Sequence, residues 1–251
     1  MTKRVPECIR ADWPAPANVC AVVTTRQGGC SVAPYNGFNL ATHVGDDVAA
    51  VLQNRSILKS SLDLPDEPLW LEQVHGVTVV DAAQSVIGSC ADAAYTTEKN
   101  KVCVVMTADC LPVLICNRAG SKVAAAHAGW RGLHAGVIEA AIQSLNETPE
   151  NILVWLGPAI GPAAFEVGDE VRNAFTSDLP PTAEAFTASK PGPKPGHWLA
   201  DIYQIARLRL ARIGVQQVYG GGLCTYTDHE RFYSYRRDGK TGRMASLIWM
   251  T

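Results

Sequence analysis

The chain has 251 residues, of which 47% are hydrophobic, and its 22 basic and 24 acidic side chains give a formal net charge of -2. The apolar content suits a soluble globular protein, in one large domain or two small ones. Without long basic runs, the chain is not expected to bind nucleic acid or a membrane surface, so small molecules are its expected partners. The absence of a signal-peptide pattern and of any apolar run of about 18 residues predicts a cytoplasmic protein.

Eight cysteines raise the question of disulfide bonds. Cys103 and Cys116 lie within apolar runs, where a reduced thiol packs as a small hydrophobic group. We therefore predict free thiols rather than a disulfide framework.

The first third of the chain is predicted to contain a strand over residues 18–25, followed by a glycine-rich turn and a polar loop. Apolar residues at mostly three- and four-residue steps predict an amphipathic helix over 47–62, with Asp46 or Asp47 as its N-cap.

The middle of the chain alternates strands with one helix, which is typical of an α/β or α+β layered fold. No dinucleotide-binding or P-loop motif is present in it. The predicted elements are strands over 69–74, 77–80, 101–109, 112–116, 122–126 and 151–155, and a helix over 133–145.

The last third begins with a helix predicted from Phe165 to Phe175. Residues 177–196 lack periodicity and are expected to form a surface excursion or a mobile lid. A core helix is predicted over 199–213 with Gly214 as its C-cap, and a strand over 244–250 follows a turn at Asp238 and Gly239.

Three short segments each place a metal-capable side chain at the end of an apolar run. These side chains are His75 in Gln-Val-His-Gly, Cys110 in Ala-Asp-Cys-Leu-Pro, and His127 in Ala-His-Ala-Gly-Trp-Arg-Gly. Two imidazoles and one thiolate would leave the fourth tetrahedral position of zinc open, as in catalytic sites. The spacing is unlike the compact pairs of zinc fingers and does not establish a site, and a histidine before glycine is often structural.

Five ordered motifs resemble the YfiH family, also called the laccase-domain or multicopper polyphenol oxidase family. The resemblance extends over nearly the whole chain, from residues 24–29 and 38–40 to the final strand. The motifs are residues 73–76, 107–112, 126–132, 157–161 and 235–243.

The resemblance implies an α+β fold, a single-domain layered α/β/β/α sandwich with mixed sheets over residues 1–251. It implies that His75, Cys110 and His127 are metal ligands, for zinc or possibly copper. Members are described as splitting purine nucleosides (adenosine, inosine, guanosine and methylthioadenosine) with phosphate, and adenosine deamination is a second described activity. Other members are linked to peptidoglycan quality control.

Phosphorolysis requires an anion site for the attacking phosphate. Arg26, Arg55 and Arg243 are the candidates, because arginine matches phosphate with a fixed fork of donors. Asn39 and His43, in the polar loop, are candidates for contacts to ribose hydroxyls or a ring nitrogen. A solvated loop charge is the simpler interpretation of Arg26.

Cys110, His127 and Asp109 are the catalytic candidates. A bound zinc would polarise a substrate oxygen or lower the pKa of water to about 7. Asp109 would shuttle a proton, as deaminases require, or orient a ligand histidine.

Three other hypotheses for the function remain open. One is a cysteine hydrolase acting on a cell-wall precursor, in which Cys110 attacks after a histidine takes its proton. A copper polyphenol oxidase is a weaker hypothesis, because oxygen reduction needs several copper centres and the sequence indicates a single metal site. The third is a binding module with a structural zinc. No obligate protein partner is indicated.

Overall fold

The computed structural model describes residues 6–189 and 196–251. The strands in this part of the chain are β1 (Cys8–Arg10), β2 (Val19–Thr24), β3 (Val79–Asp81), β4 (Ala93–Thr96), β5 (Cys103–Thr107), β6 (Leu111–Asn117), β7 (Val123–Ala128), β8 (Ile152–Leu156), β9 (Glu166–Gly168), β10 (Phe186–Ala188), β11 (His197–Ala200), β12 (Gln217–Gly220) and β13 (Met244–Met250). The α-helices are α1 (Val48–Ser61), α2 (Trp130–Ala135), α3 (Val137–Ser144), α4 (Asp169–Asp178), α5 (Ile202–Arg212) and α6 (Tyr235–Asp238).

Two sheets face each other across the centre of the fold. The first is antiparallel with the strand order β1-β2-β13-β5, and the second is mixed with the order β12-β8-β6-β7-β4-β3. Side chains that alternate along these strands pack between them in one buried cluster, which includes Val105, Leu114, Ala125 and Ile248. A smaller sheet has the order β10-β11-β9.

Helices cover the outer faces of both large sheets. Val104 and Leu247 point away from the centre and pack in a cluster with Leu58 of α1. On the other side, Val113 and Ile115 pack in a cluster that contains residues of α2, α3, α4 and α5. The order of layers is therefore helix, sheet, sheet, helices, which confirms the α+β sandwich with mixed sheets.

Most predicted elements are confirmed, with boundary shifts of a few residues. α1 begins after Asp47, whose side chain accepts a hydrogen bond from the Ala49 N–H at 3.0 Å. The C-terminal helix starts at Ile202 because residues 197–200 form β11, and Asp201 caps it by accepting from the N–H groups of Tyr203 and Gln204.

Four predictions of secondary structure are wrong in detail. Residues 69–74 make only isolated bridges, of Leu69 with Cys103 and of Glu72 with Cys90. The helix predicted over 133–145 is two helices, because Gly136 adopts a left-handed φ of 100° between them.

The other two corrections concern the region after β8. β9 precedes α4, so the helix predicted from Phe165 begins only at Asp169. The expected excursion over 177–196 contains a 3-10 helix (Pro180–Ala185) and β10, while residues 190–195 of that prediction lie outside the described residues.

Two expectations from composition can be compared with the structure. All eight cysteines are free, as predicted. Among the described helices, none is long and apolar enough to span a membrane.

Candidate metal centre

Three side chains that are distant in sequence converge at one end of the two sheets. Cys110 lies in the short connection between β5 and β6, His127 lies near the end of β7, and His75 lies in the loop before β3. The possible ligand atoms of the three residues all lie within 4.8 Å of one another. Cys110 Sγ and His75 Nε2 are 3.7 Å apart.

Asp92, directly before β4, holds two of these residues in place. Its carboxylate contacts Nδ1 of His127 at 2.8 Å and accepts hydrogen bonds from the backbone N–H groups of Val74, His75 and Gly76 at 3.2, 2.9 and 2.6 Å. A carboxylate on Nδ1 sets the tautomer that leaves Nε2 of His127 available as a ligand. Asp92 therefore joins the loop of one histidine to the ring of the other.

The backbone around the site is shaped to let the ligands approach. His75 has a left-handed φ of 61°, an uncommon conformation that the Asp92 hydrogen bonds stabilise. A Cβ at Gly129 would lie 2.6 Å from Cδ2 of His75 and 3.0 Å from Sγ of Cys110. Glycine at position 129 therefore leaves room for both ligands.

The charges of the site are coupled. Burial alone would raise the pKa of Cys110, but the positive charge of His127 and hydrogen bonds from His127 and His75 lower it below the usual range. Burial would lower the pKa of His127, but the Cys110 thiolate and Asp92 raise it. Burial would also raise the pKa of the Asp92 carboxyl, but hydrogen bonds from His127 and the Gly76 N–H lower it. The environment favours the thiolate, which is the form that binds metals.

The donor set fits a single cation. Zinc bonds of about 2.0 to 2.3 Å in tetrahedral geometry place neighbouring ligand atoms roughly 3.3 to 3.8 Å apart. The distance of 3.7 Å between Cys110 and His75 lies within this range. These three residues are the one group of this kind among the described residues, so the structure offers one open three-ligand site rather than several metal centres.

The three ligands open into a cavity of about 360 Å³. This volume is at the lower end for small-molecule sites. We call it the metal cavity; it is lined by His43, Gln73, His75, Met106, Thr107, Ala108, Cys110, His127, Tyr235 and Arg243.

Two of the predicted substrate-binding residues lie in this cavity, namely His43 and Arg243. A third, Arg55, lines an adjoining cavity of about 360 Å³ together with His43, and its guanidinium stacks on the Trp70 ring at 3.9 Å. Partial burial and the charges of Arg243 and Arg55 lower the pKa of His43. Its imidazole is therefore neutral at pH 7 and can both donate and accept a hydrogen bond.

Two further candidates lie elsewhere. Asn39 is fully buried, and its amide bonds to Ala41, Asp46 and the Arg243 N–H, so its polar atoms are occupied within the chain. Arg26 stacks over the Tyr233 ring at 4.7 Å and donates to backbone carbonyls, outside the lining of the metal cavity.

Asp109 does not orient a ligand histidine. Its φ of 93° and its two hydrogen bonds, from the Thr225 hydroxyl at 2.6 Å and the Arg236 N–H at 2.7 Å, turn the carboxylate away from the ligands. Asp109 anchors the turn before Cys110, and the orienting role belongs to Asp92.

Asp92 and Gln73 support the candidate site but are not among the residues predicted from sequence. The side chain of Gln73 bonds to both the N–H and the C=O of Met106, at 2.8 and 2.9 Å, and so fixes the His75 loop against β5. An acidic residue between alanines, in Ala91-Asp92-Ala93, was the available signal for a buried carboxylate with a partner.

The fold and the site define a layered α+β protein in which two histidines and one cysteine form a candidate metal-binding site. The chain belongs to the multi-copper polyphenol oxidoreductase laccase family, whose model matches residues 20–251. Its relatives and structural neighbours are YfiH-type proteins, which confirms the resemblance found in the motifs.

Two similar proteins are named purine nucleoside phosphorylases. The one from Pseudomonas aeruginosa is 56% identical over 95% of this chain and 96% of its own length. YfiH from Escherichia coli is 54% identical with the same coverage.

Two solved structures have the same fold. A crystal structure of a Neisseria meningitidis protein has a TM-score of 0.91 at 50% identity and covers 97% of this chain and 98% of its own. The crystal structure of YlmD from Geobacillus stearothermophilus has a TM-score of 0.86 at 32% identity and covers 94% of this chain and 93% of its own.

Proposed function

We propose that this protein is a zinc-dependent purine nucleoside phosphorylase, acting on adenosine, inosine, guanosine or methylthioadenosine. The observation that carries the proposal is the convergence of His75, Cys110 and His127 in a cavity that also contains the cationic side chain of Arg243. The names of the Pseudomonas aeruginosa and Escherichia coli relatives support the same activity.

In phosphorolysis a phosphate oxygen forms a bond to the anomeric carbon of the ribose. The bond between that carbon and the base nitrogen breaks, and its electron pair leaves with the base, which takes up a proton. The products are the free base and ribose 1-phosphate. The site must therefore hold an anion next to a nucleoside and stabilise the departing base.

The metal would be held by His75, Cys110 and His127. When bound, zinc would act as a Lewis acid on an oxygen of a substrate, with its fourth position open. Asp92 keeps the His127 ring in the ligating orientation, and Gly129 leaves the space that the ligands need.

The remaining residues of the cavity are assigned to the nucleoside. Tyr235 lines the metal cavity, is 61% exposed and offers an aromatic face for a purine ring. His43, neutral at pH 7, is placed to hydrogen-bond the base or the ribose. Arg55 stacks on the Trp70 ring in the adjoining cavity. This second cavity gives room for a substrate that is too large for the metal cavity alone.

Adenosine deamination has less support. Zinc deaminases use a free carboxylate to move protons. None of the described residues that line the metal cavity is Asp or Glu, and the carboxylates of Asp92 and Asp109 already accept several hydrogen bonds each. Phosphorolysis is therefore the activity that we propose.

A second candidate, a cysteine hydrolase, is favoured by one specific observation. Cys110, His127 and Asp92 have the residue types and the order of contacts of a nucleophile, a base and an orienting acid. Because metal binding would occupy the thiolate, this activity would appear in the metal-free protein.

Phosphate dependence tests the proposal. Purified protein is incubated with adenosine or inosine, with and without phosphate, and the products are separated by chromatography. We expect equal amounts of base and ribose 1-phosphate, formed only with phosphate. Release of base and free ribose at the same rate without phosphate would show a hydrolase instead.

A further inference from the structure

A third cavity, of about 320 Å³, adjoins the metal cavity and shares His43, Tyr235 and Arg243 with it. Its remaining lining comes from Val44 and from the loop that follows α6. We call this space the loop cavity; the loop residues that line it are Gly239, Lys240 and Thr241.

The described lining of the loop cavity contains two basic side chains and no carboxylate. Within the described residues, none of those lining it is Asp or Glu, and neither Lys240 nor Arg243 lies in a salt bridge with a described carboxylate. The exposed Lys240 ammonium lies 5.6 Å from the Tyr35 ring, a cation–π contact that leaves its N–H donors free. Two cations without a salt bridge beside one cavity favour an anionic ligand.

The guanidinium of Arg243 is held in place before any ligand arrives. Its Nη1 donates to the carbonyls of Thr241 and Gly242 at 3.0 and 2.9 Å, while its Nε and Nη2 have no acceptor among the described residues. The backbone N–H of Arg243 is fixed by the buried amide of Asn39 at 3.0 Å. A fixed guanidinium with free donors is suited to a phosphate oxygen.

The wall of the loop cavity also contains an unsatisfied polar atom. Thr241 is 2% exposed, and its hydroxyl has no hydrogen-bond partner among the described residues. Buried hydroxyls nearly always have a partner, which can be a bound ion or water. A phosphate oxygen at the Thr241 side chain would supply the missing partner.

We propose that the loop cavity, through Lys240, Thr241 and Arg243, binds the inorganic phosphate of the reaction. This inference rests on the proposed function. With a nucleoside in the metal cavity, a phosphate beside Arg243 occupies the neighbouring space, and one of its oxygens approaches the anomeric carbon. That oxygen supplies the electron pair of the new C–O bond, and the base leaves with the electrons of the broken C–N bond and takes up a proton.

Steady-state kinetics at varied phosphate and at varied inosine tests the assignment. In Lys240→Gln the KM for phosphate rises about tenfold or more while the KM for inosine changes less than about twofold, because one charged contact to phosphate is lost. Lys240→Arg keeps most of the phosphate affinity. Lys99→Gln, which makes the same charge change at an exposed lysine outside the cavity, behaves like the wild type. An unchanged KM for phosphate in Lys240→Gln, or an equal rise in both constants, overturns the inference.

Direct binding of inorganic phosphate, measured by equilibrium dialysis without nucleoside, separates this inference from the proposed function. Phosphate that binds wild type and Lys99→Gln but not Lys240→Gln, in a protein without phosphorylase activity, supports the site and refutes the function. If the protein is an active phosphorylase but Lys240→Gln binds phosphate as the wild type does, the site is refuted and the function is not. If the wild type neither catalyses phosphorolysis nor binds phosphate, both the site and the function are refuted.

Adenosine 5'-monophosphate distinguishes a free phosphate from a phosphoryl group carried by a nucleotide. Competition with phosphate that is lost in Lys240→Gln is the expected pattern. If adenosine 5'-monophosphate competes with inosine only, and this competition is also lost in Lys240→Gln, the cavity binds the phosphoryl group of a nucleotide substrate. That result would overturn the co-substrate role.

Discussion

Asp92 and His127 are joined twice, by the side-chain contact of 2.8 Å between Oδ1 and Nδ1 and by the backbone hydrogen bond of 2.7 Å from the His127 N–H to the Asp92 carbonyl. The same carboxylate also holds the backbone at His75. A residue outside the candidate ligand set therefore contacts both histidines.

Asp92→Asn weakens metal binding by about 10- to 100-fold, as loss of an orienting partner does in other metal sites. An amide accepts with one oxygen only and cannot hold both the His127 ring and the His75 loop as the carboxylate does. Competition titration with a chelator measures the affinity. Asp12→Asn, at an exposed aspartate, controls for the charge change and keeps wild-type affinity. Equal affinities in the two variants would show that Asp92 has no role at the metal.

Cys110→Ser loses the metal and at least about 100-fold of the phosphorylase activity, because a neutral hydroxyl replaces a thiolate ligand. The fold is retained, since the side chain lies at the cavity and not in a core cluster. Elemental analysis and circular dichroism measure the two properties. Cys90→Ser, at another free cysteine that is exposed, retains metal and activity. Full phosphorolysis by Cys110→Ser would refute a metal role in the reaction.

Gly129→Ala separates metal affinity from fold stability. The ordinary backbone conformation of Gly129, with φ of -63° and ψ of 158°, accepts alanine, but the added Cβ would meet His75 and Cys110 at 2.6 and 3.0 Å. We expect metal affinity to fall by about tenfold or more, because displaced ligands no longer share one centre. Gly222→Ala, with φ of 85° and open space around it, costs about 1 kcal/mol of stability and leaves metal binding unchanged. Unchanged metal affinity in Gly129→Ala would contradict the packing of the site.

The lowered pKa of Cys110 predicts the pH at which the metal-free protein is alkylated. Because the pKa is lowered to about 6, the reactive thiolate is populated at pH 7. Burial and the nearby Asp46 and Asp47 raise the pKa of Cys30, an exposed cysteine, so the Cys30 thiol is protonated at pH 7. Iodoacetamide labelling followed by mass spectrometry therefore modifies Cys110 before Cys30 at pH 7, and bound metal protects Cys110. Faster labelling of Cys30 would contradict the electrostatics of the site.

The sequence identified the three candidate ligands, which the structure brings together, more readily than the residues that support them. Cys110 and His127 follow apolar runs in motifs that carry a family resemblance, so their chemistry shows in a short window. Asp92 lies 35 residues from His127, and no local pattern connects the two. Asn39 illustrates the opposite problem. A polar loop predicts an accessible amide, but tertiary packing buries this one completely.

The fold shows the same division between local and long-range information. The N-cap at Asp47 and the apolar spacing predict α1 within one residue, because those signals act locally. Residues 69–74 are a short strand candidate from sequence but form only isolated bridges, since pairing depends on which distant backbone is adjacent. Gly136 separates α2 from α3 through a backbone conformation that periodicity does not encode.

Zinc titration of metal-free protein tests the central claim most directly. Phosphorolysis of inosine is measured as base and ribose 1-phosphate against zinc added per chain. The account predicts negligible activity without metal, a linear rise, and a plateau at one zinc per chain that Cys110→Ser does not reach. Full phosphate-dependent activity in the metal-free protein would contradict it.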